Sequence, residues 1–212
     1  VAFGQGAPAA KPSSPPFDPR DLSGLWNPVH PNEVLATDIP MTPAGLAYYK
    51  NQQAGTSNPP VNGPDQTDPV FQCEPSSVPR NYHNTHTIEI EHVPGKVLML
   101  FQAWRNFRII YTDGRKMPDH PEGTWYGDSV GHWEGNTLVV ETGNFNGRSW
   151  IDQYGHPTSD KLRLTERFTR KDRDHLEDEI TITDPVNYTR PWGGKKTWVL
   201  KNDWMIEDYL CS

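Results

Sequence analysis

The feature that most constrains this chain is a series of short runs, from residue 85 onward, in which apolar and polar residues alternate. The clearest pair covers residues 125–134 and 137–142, on either side of Gly135-Asn136. Alternating runs around such a dipeptide predict a β-hairpin with a two-residue loop. Side chains alternate between the faces of a strand, so one face of the hairpin is predicted to line the interior: Ser129, Gly131, Trp133, Leu138, Val140 and Thr142.

Similar runs predict the rest of a β-sheet. They cover residues 22–26, 85–91, 97–103, 107–111, 162–169 and 176–183, and a last hairpin is predicted from 197–201 and 204–210 around Asn202-Asp203. This gives about eight or nine antiparallel strands joined by hairpins. No helical pattern alternates with the strands, which excludes a parallel α/β sheet. A closed up-and-down barrel is favoured over a two-sheet sandwich.

One helix is predicted outside the sheet. Thr42 is a good N-cap and Pro43 suits the first helical position, so the helix is expected to run to about Gln53. Residues 55–80 carry six prolines and are expected to wrap the surface without regular structure. Residues 1–20 have the composition of a flexible tail, which leaves a single β domain over 21–212.

Composition and charge restrict the classes of partner. The 212 residues carry a net charge of -7 with no basic block, which argues against nucleic acid. No apolar run reaches the length of a membrane span. The first residues, 1–16, start at Val1 and are rich in Ala, Pro and Ser, so we expect a secreted or periplasmic protein that has lost its signal peptide. The alternative is an arbitrary starting point.

The chain has two cysteines, Cys73 and Cys211, whose separation excludes a CxxC metal or redox motif. In an oxidising compartment they are expected to form one bridge between the C-terminal end and the long N-terminal region. The alternative is two separate buried thiols.

The hairpin predicted from residues 162–169 and 176–183 carries acidic side chains on its apolar face. Its apolar residues meet if Phe168 lies opposite Leu176, and that register places Glu166 directly opposite Asp178. Two inward carboxylates need a shared proton, a metal ion or an inserted arginine. This pair therefore predicts a wet pocket inside the barrel. The alternatives are a different strand register or a pair near an open rim, where water screens the charges.

The other candidate catalytic residues lie in predicted loops, where catalytic groups often sit. Asp113 is in the tight turn 112–115, His120 follows Pro118-Asp119, and Asp152 and His156 are in the long loop 143–160. Histidine titrates near neutral pH and serves as general base or metal ligand. We expect His120 or His156 to act as base, oriented by Asp113 or Asp152, although each histidine taken singly could be a surface residue.

Candidate substrate-binding residues combine cations, aromatic rings and one hydroxyl: Arg108, Tyr111, Trp125, Ser129, Trp150, Tyr188, Arg190 and Trp192. The arginines would neutralise negative charge and the rings would line a pocket mouth, with core packing as the alternative for each ring. Ser129 stands in the letters Gly-x-Ser-x-Gly, but a nucleophile elbow needs a strand-to-helix turn and this segment is predicted to lie within a strand.

Several motifs resemble those of a known family: DLSGLW at 21–26, IIYTDGR at 109–115, GDSVGHWEGNTLVVET at 127–142, GHPTS at 155–159, Glu166-Arg167, Asp184-Pro185 and YTRPW at 188–192. On these motifs, which cover most of the chain, it resembles a widespread set of exported bacterial proteins, abundant in soil acidobacteria. The resemblance implies a lipocalin-like (calycin-type) β-barrel. It brings no established activity, but implies that the Asp113 turn, the His156 loop and Glu166 belong to the site region.

The favoured functional hypothesis is a small-pocket hydrolase of ester-like or phosphoester-like bonds, in which Glu166 and Asp178 hold a proton or a divalent metal ion. One alternative is a non-catalytic periplasmic binding protein for a small aromatic or sugar-like ligand. A lyase, an isomerase or a carbohydrate-active enzyme fits the same residues. The sequence leaves the substrate, the metal and the oligomeric state open.

Overall fold

The computed structural model describes residues 16–31, 34–52 and 67–208, and its strands form one closed barrel in chain order. This confirms the predicted all-β, lipocalin-like barrel. The strands are β1 (Gly24–Pro28), β2 (Ile88–Val93), β3 (Lys96–Phe101), β4 (Asn106–Tyr111), β5 (Asp128–Glu134), β6 (Thr137–Gly143), β7 (Arg163–Arg170), β8 (His175–Thr183) and β9 (Trp192–Leu200). No helix in the described part of the chain is long and apolar enough to span a membrane.

The seam between β4 and β5 differs from the rest of the barrel. These strands pair in parallel, through only Ile110 with Ser129 and Tyr111 with Val130. A parallel pair needs a long connection, and residues 112–127 supply it. The prediction of purely antiparallel pairing is therefore wrong at this seam.

The hairpin of β5 and β6 has the predicted register. Trp133 lies opposite Leu138, and the chain turns at Gly135-Asn136. The predicted interior positions Ser129, Val140 and Thr142 are buried, like Leu138. Here the sequence pattern alone determines the register because both the turn and the alternation point to the same pairing.

The hairpin of β7 and β8 is shifted by two residues from the prediction. Glu166 lies opposite Ile180 and Phe168 opposite Asp178, so the predicted direct opposition of Glu166 and Asp178 is wrong. The strands extend to Arg170, which points inward, lies over the Trp26 ring and donates to the carbonyl of Asp21. A shift of two residues preserves the faces, so both carboxylates still point into the barrel as diagonal neighbours.

Strand β9 replaces the third predicted hairpin. It begins at Trp192, and residues 201–208 contain no strand. The predicted hairpin is therefore wrong over these residues, whereas 209–210 lie outside the described residues. The start of this strand was not predicted because Gly193 and Gly194 have no side chains and so interrupt the alternation of apolar and polar residues. They allow close backbone approach: a Cβ on Gly194 would lie 2.1 Å from the Leu35 carbonyl oxygen.

The predicted helix is present as α1 (Pro43–Lys50). Thr42 caps it as predicted, because its hydroxyl accepts a hydrogen bond from the Gly45 amide at 3.0 Å. The helix ends three residues before the predicted end. All of its positions are exposed or half-buried except Gly45, so α1 lies on the surface of the barrel domain.

Residues 76–83 are all buried and are called the inner segment below. They include a 3₁₀ turn, Arg80–Tyr82, and follow a second one, Pro69–Gln72. Arg80 forms a two-pronged ion pair with Asp68, at 2.7 and 2.6 Å. The prediction that residues 55–80 wrap the surface is therefore wrong for the inner segment, whereas 53–66 lie outside the described residues.

Two further predictions concern the ends of the chain. Residues 1–15 of the predicted tail lie outside the described residues, but Arg20 donates to the Gly135 carbonyl at 2.7 Å and covers Trp133. The tail therefore does not extend to residue 20. Cys211 is not among the described residues, so the bridge to Cys73 stays a prediction.

Candidate functional site

A buried ion pair crosses the interior of the barrel. Arg108 on β4 binds both carboxylate oxygens of Glu166 on β7, one of them at 2.9 Å, and neither side chain is more than 1% exposed. The same guanidinium donates to Ser129 on β5 and Thr142 on β6, at 3.0 and 2.7 Å. Arg108 thus spans the short parallel seam from inside, and Glu166 is held as its counter-ion.

Tyr82 of the inner segment completes this cluster. Its hydroxyl accepts from Arg108 at 2.7 Å and donates to Glu166 at 2.8 Å. The phenol ring packs edge-on against Trp198, with centroids 5.5 Å apart. These bonds satisfy Glu166 and fix the inner segment inside the barrel, so the arrangement has a structural role, not that of an open catalytic acid.

Asp178 lies in the same interior but in a different state. One carboxyl oxygen accepts from the Arg167 amide at 3.0 Å, and Oδ2 has no hydrogen-bond partner in the part of the chain that the structure describes. Burial, followed by the nearby charge of Glu166, raises the pKa of Asp178 well above its ordinary value. Asp178 therefore keeps its proton to a higher pH than an ordinary aspartate, and of the three compensations expected from the sequence the structure shows the inserted arginine, Arg108, bound to Glu166.

A histidine–aspartate dyad lies in the loop between β6 and β7. Nδ1 of His156 is 2.6 Å from Oδ2 of Asp152, and both side chains are buried. Burial raises the pKa of Asp152, but the hydrogen bond and charge of His156, the charge of His83 and the Tyr154 amide together outweigh it, so the pKa lies below its ordinary value. An ionised carboxylate can only accept, so Nδ1 carries a proton, and in the neutral form of the ring Nε2 then has the lone pair.

The loop that holds the dyad is rigid for local reasons. Asp152 also accepts from the amide of Tyr154 at 2.9 Å, and the Ile151 amide binds the His156 carbonyl at 2.9 Å. Gly155 has a φ of +95°, which other residues rarely adopt. The sequence Asp152–His156 therefore folds back on itself and brings the two side chains together without help from a strand.

Aromatic rings surround the dyad. Tyr49 of α1 stacks on His156 with centroids 4.5 Å apart, and Trp192 meets it edge-on at 6.4 Å. Tyr188 packs on Trp192 and donates to the Pro157 carbonyl at 2.7 Å. Trp150 is fully buried nearby, with its indole N–H 3.3 Å from the hydroxyl of Tyr48. Three predicted binding residues, Trp150, Tyr188 and Trp192, thus lie in one region with His156.

The remaining predicted site residues lie elsewhere. Asp113 is exposed and pairs with Arg115, which covers Tyr111 at 3.7 Å. His120 is exposed and lies 2.8 Å from Asp128 on the outer face of β5. These pairs make no contact with the dyad among the interactions of the described residues, and neither brings together the group of catalytic residues that the sequence predicted.

Two more predicted binding residues take surface positions. Trp125 is half-buried beneath Arg148, which lies 4.8 Å from the ring centre. Arg190 is exposed and 3.5 Å from Asp38. Arg108 and Ser129, by contrast, belong to the buried cluster with Glu166, so none of these four lines the wall around His156.

Metal binding receives no support from the described residues, which contain no group of three His, Cys, Asp or Glu side chains placed to hold an ion. An open cavity of about 490 Å³ lies between Thr85, Thr87, Gln102 and residues 203–207. It contains no predicted site residue.

The sequence interpretation missed His83 and Lys196. Both are buried, and the charges of Lys196 and Asp152 act on the His83 ring. The predicted surface position of residues 55–80 and the late start of β9 hid them. The sequence did contain a signal, because Lys196 is an even number of residues from both Trp192 and Trp198 and so lies on the same face of the strand.

Comparisons with family models, with curated proteins and with solved structures find no match to this chain. The functional argument therefore rests on the geometry of the dyad and its surroundings.

Proposed function

We propose that this protein is a small-pocket hydrolase of ester-like or phosphoester-like bonds, in which His156 removes a proton from water. The observation that carries the proposal is the bond between His156 Nδ1 and Asp152 Oδ2, at 2.6 Å, which leaves Nε2 as a base. A carboxylate that fixes the tautomer and stabilises the imidazolium is the arrangement that histidine bases use. Tyr49 covers the face of the ring, and a proton is taken at the edge.

Trp192 supports the proposal with a hydrogen-bond donor. Its buried indole N–H has no hydrogen-bond partner among the described residues, and its ring lies edge-on to His156. An unpaired buried donor is unfavourable by about 1–3 kcal/mol unless a ligand or water accepts from it. A substrate carbonyl or phosphoryl oxygen would be such an acceptor, and it would gain negative charge as water attacks.

No described serine, cysteine or threonine hydroxyl or thiol makes a hydrogen bond with His156. Thr158, the closest in sequence, donates instead to the Ser149 carbonyl at 2.5 Å. Water is therefore the nucleophile that the dyad would activate. This differs from the mechanism predicted from the sequence, because Glu166 and Asp178 are stability groups in the barrel interior.

The test is hydrolysis of p-nitrophenyl acetate, p-nitrophenyl phosphate and bis-p-nitrophenyl phosphate by the purified chain. His156→Gln is expected to lower kcat/KM by about 100-fold or more on the substrate that is turned over. Asp152→Asn is expected to lower it as well and to shift the acidic limb of the pH profile, because a general base acts only when it is deprotonated. His132→Gln, at an exposed histidine on β5, is the control and should retain wild-type activity.

The proposal fails if His156→Gln, folded by circular dichroism, hydrolyses these substrates as fast as the wild-type chain. Absence of turnover on all three substrates, with a small molecule retained stoichiometrically in native mass spectrometry, would favour the second candidate. That candidate is a binding protein for a small aromatic or sugar-like ligand, which the ring cluster of Tyr49, Tyr188 and Trp192 favours. An exported location is part of either proposal.

A further inference from the structure

The outer wall of the barrel carries an apolar patch on strands β3 and β4. The side chains that alternate with the buried Val97, Met99 and Ile110 point outward from these strands. The apolar members of this outward set, here called the β3–β4 patch, are Leu98, Leu100, Phe107, Ile109 and Tyr111. Phe107 is 63% exposed, and none of the five belongs to the core that the described residues form or to the side chains packed against it.

The strand pairing makes this patch continuous. Leu100 lies opposite Phe107 and Leu98 opposite Ile109, so four apolar side chains occupy two adjacent rows across the sheet. Side chains directly opposite one another in a sheet are about 5 Å apart. Isolated exposed apolar residues are common, but a contiguous exposed group marks an interaction surface. The β3–β4 patch is such a group.

The two ends of the patch carry opposite charges. Glu89 on β2 extends the row of Leu100 and Phe107, whereas Lys96 on β3 occupies the row of Tyr111, two rows further along the strands. Neither Glu89 nor Lys96 has an ion-pair partner among the described residues, and the Lys96 ammonium lies 5.3 Å from the centre of the Tyr111 ring. One end of the patch is therefore acidic and the other basic.

We propose that the β3–β4 patch binds the same patch of a second copy of this chain, around a two-fold axis that crosses the strands at the row of Leu98 and Ile109. Such an axis reverses the order of the rows, so the acidic end of one copy meets the basic end of the other. Glu89 then lies beside Lys96 of the second copy, and Phe107 packs against its Tyr111. An axis along the strands would instead bring like charges together, which is unfavourable.

Charge favours a second copy over a lipid surface as the partner. The chain has a net charge of -7, and anionic membrane surfaces attract basic segments. The wall of a barrel is convex, so the contact is centred on β3 and β4, and Glu91 on β2 lies at its solvated rim. The proposed axis brings the two copies of Glu91 toward each other at this rim, and their repulsion limits the affinity of the dimer.

The first test is the oligomeric state of the full chain, measured by sedimentation equilibrium at about 1–300 µM, the range in which weak dimers form. We expect the apparent mass to rise toward twice the monomer value. Phe107→Glu should weaken dimerisation by about tenfold or more, because it places a charge at the centre of the contact. Phe71→Glu, at a similarly exposed ring outside the patch, is the control and should dimerise like the wild-type chain. Circular dichroism checks that each variant is folded.

Charge reversal tests the direction of the axis. Glu89→Lys and Lys96→Glu should each weaken the dimer by about three- to tenfold, because like charges then meet twice around the axis. The double variant Glu89→Lys/Lys96→Glu should bind to within about twofold of the wild-type chain, since both pairs are again of opposite charge. Glu91→Gln should strengthen the dimer because it removes the repulsion at the rim.

Three results would overturn the inference: a monomer at every concentration, a dimer that Phe107→Glu leaves unchanged, or a double charge reversal that binds no better than the single variants. A monomeric chain that sediments with phosphatidylcholine vesicles would assign the patch to a lipid surface and overturn the inference as well. None of these measurements depends on hydrolysis, so the outcome is independent of the proposed function of the dyad.

Discussion

Glu166 and Asp178 are both fully buried in the barrel, yet their surroundings give them different roles. Glu166 neutralises Arg108 through two hydrogen-bonded oxygens, whereas Asp178 has a backbone amide as its only partner among the described residues. A charge is stable in an apolar interior only when it is paired. Two substitutions that each remove one carboxylate are therefore expected to have opposite effects.

Replacing Glu166 by Gln leaves the Arg108 charge buried without a counter-ion. We expect the free energy of unfolding to fall by about 3–5 kcal/mol, measured by urea denaturation. The double variant Arg108→Met/Glu166→Met should recover most of this loss because neither charge remains. Glu134→Gln, in the exposed pair with Arg167, is the control and should leave stability unchanged. Wild-type stability of Glu166→Gln would contradict the structural role of the ion pair.

Replacing Asp178 by Asn tests the pKa direction. In the unfolded chain this carboxyl ionises near 3.8, but burial raises its pKa in the folded protein, so it stays protonated to a higher pH. Above pH 4 the folded state therefore holds one more proton, and stability falls as pH rises, by up to about 1.4 kcal/mol per pH unit until the folded-state pKa is passed. Asp178→Asn should lose this dependence and become more stable than the wild-type chain at pH 8.

Charged groups on four strands surround Asp178: Glu166 on β7 and Arg108 on β4 inside the barrel, Glu179 next in sequence on β8, and Lys196 opposite in register on β9. Glu179→Gln is the control, because that carboxylate points outward toward Lys195. Urea denaturation at several pH values between 5 and 9 measures the difference. Parallel stability curves for Asp178→Asn and the wild-type chain would show that Asp178 is ionised in the fold.

At the scale of elements, helix α1 covers the dyad while burying little of itself. Thr42 donates to the Val186 carbonyl at 2.8 Å, and Gly45 packs so closely that a Cβ would lie 2.4 Å from the Asn187 carbonyl oxygen. Tyr49 then reaches His156 by stacking. The position of the helix thus depends on one glycine and controls access to the proposed base.

Replacing Gly45 by Ala forces α1 away from Asn187. We expect Tyr49 to leave His156, which should then react several times faster with diethyl pyrocarbonate, as measured by peptide mass spectrometry against exposed His132. The free energy of unfolding should change by less than about 2 kcal/mol because the rest of α1 is exposed. Ala44→Ser, at an exposed position of the same turn, is the control. An unchanged reaction rate would mean that α1 does not shield the dyad.

At the scale of the whole molecule, neighbouring strands of the barrel differ in the number of residue pairs that join them. Side chains inside the barrel stabilise the junction with the fewest pairs. The β4–β5 seam has two residue pairs, and Arg108 joins β4 to β5, β6 and β7 across it. The inner segment fills the interior and is tied to the same arginine by Tyr82. The domain is consequently a packed barrel around buried charge.

The predicted bridge between Cys73 and Cys211 would join distant parts of this molecule. The non-reduced protein, purified from an oxidising compartment, should weigh less than the reduced protein by the mass of two hydrogen atoms. Cys73→Ser should then lower the free energy of unfolding by about 2–4 kcal/mol, because the bridge restricts the unfolded chain. Equal masses before and after reduction would contradict both the bridge and the expected loss of stability.

The sequence by itself determined the barrel class, the β5–β6 hairpin and the start of α1. Each rests on local chemistry: alternation of side chains, a two-residue turn and an N-cap hydroxyl. It also identified Asp152 and His156 correctly as neighbours in one loop, because four residues separate them and Gly155 bends the chain between them.

Only the tertiary structure decided the charge of the carboxylates and the contents of the barrel. Whether Glu166 faces Asp178 or Arg108 depends on strand register and on a side chain 58 positions away, which no local pattern encodes. The burial of residues 76–83 depends on the space inside a closed barrel, because their one proline and their polar residues otherwise resemble a surface loop.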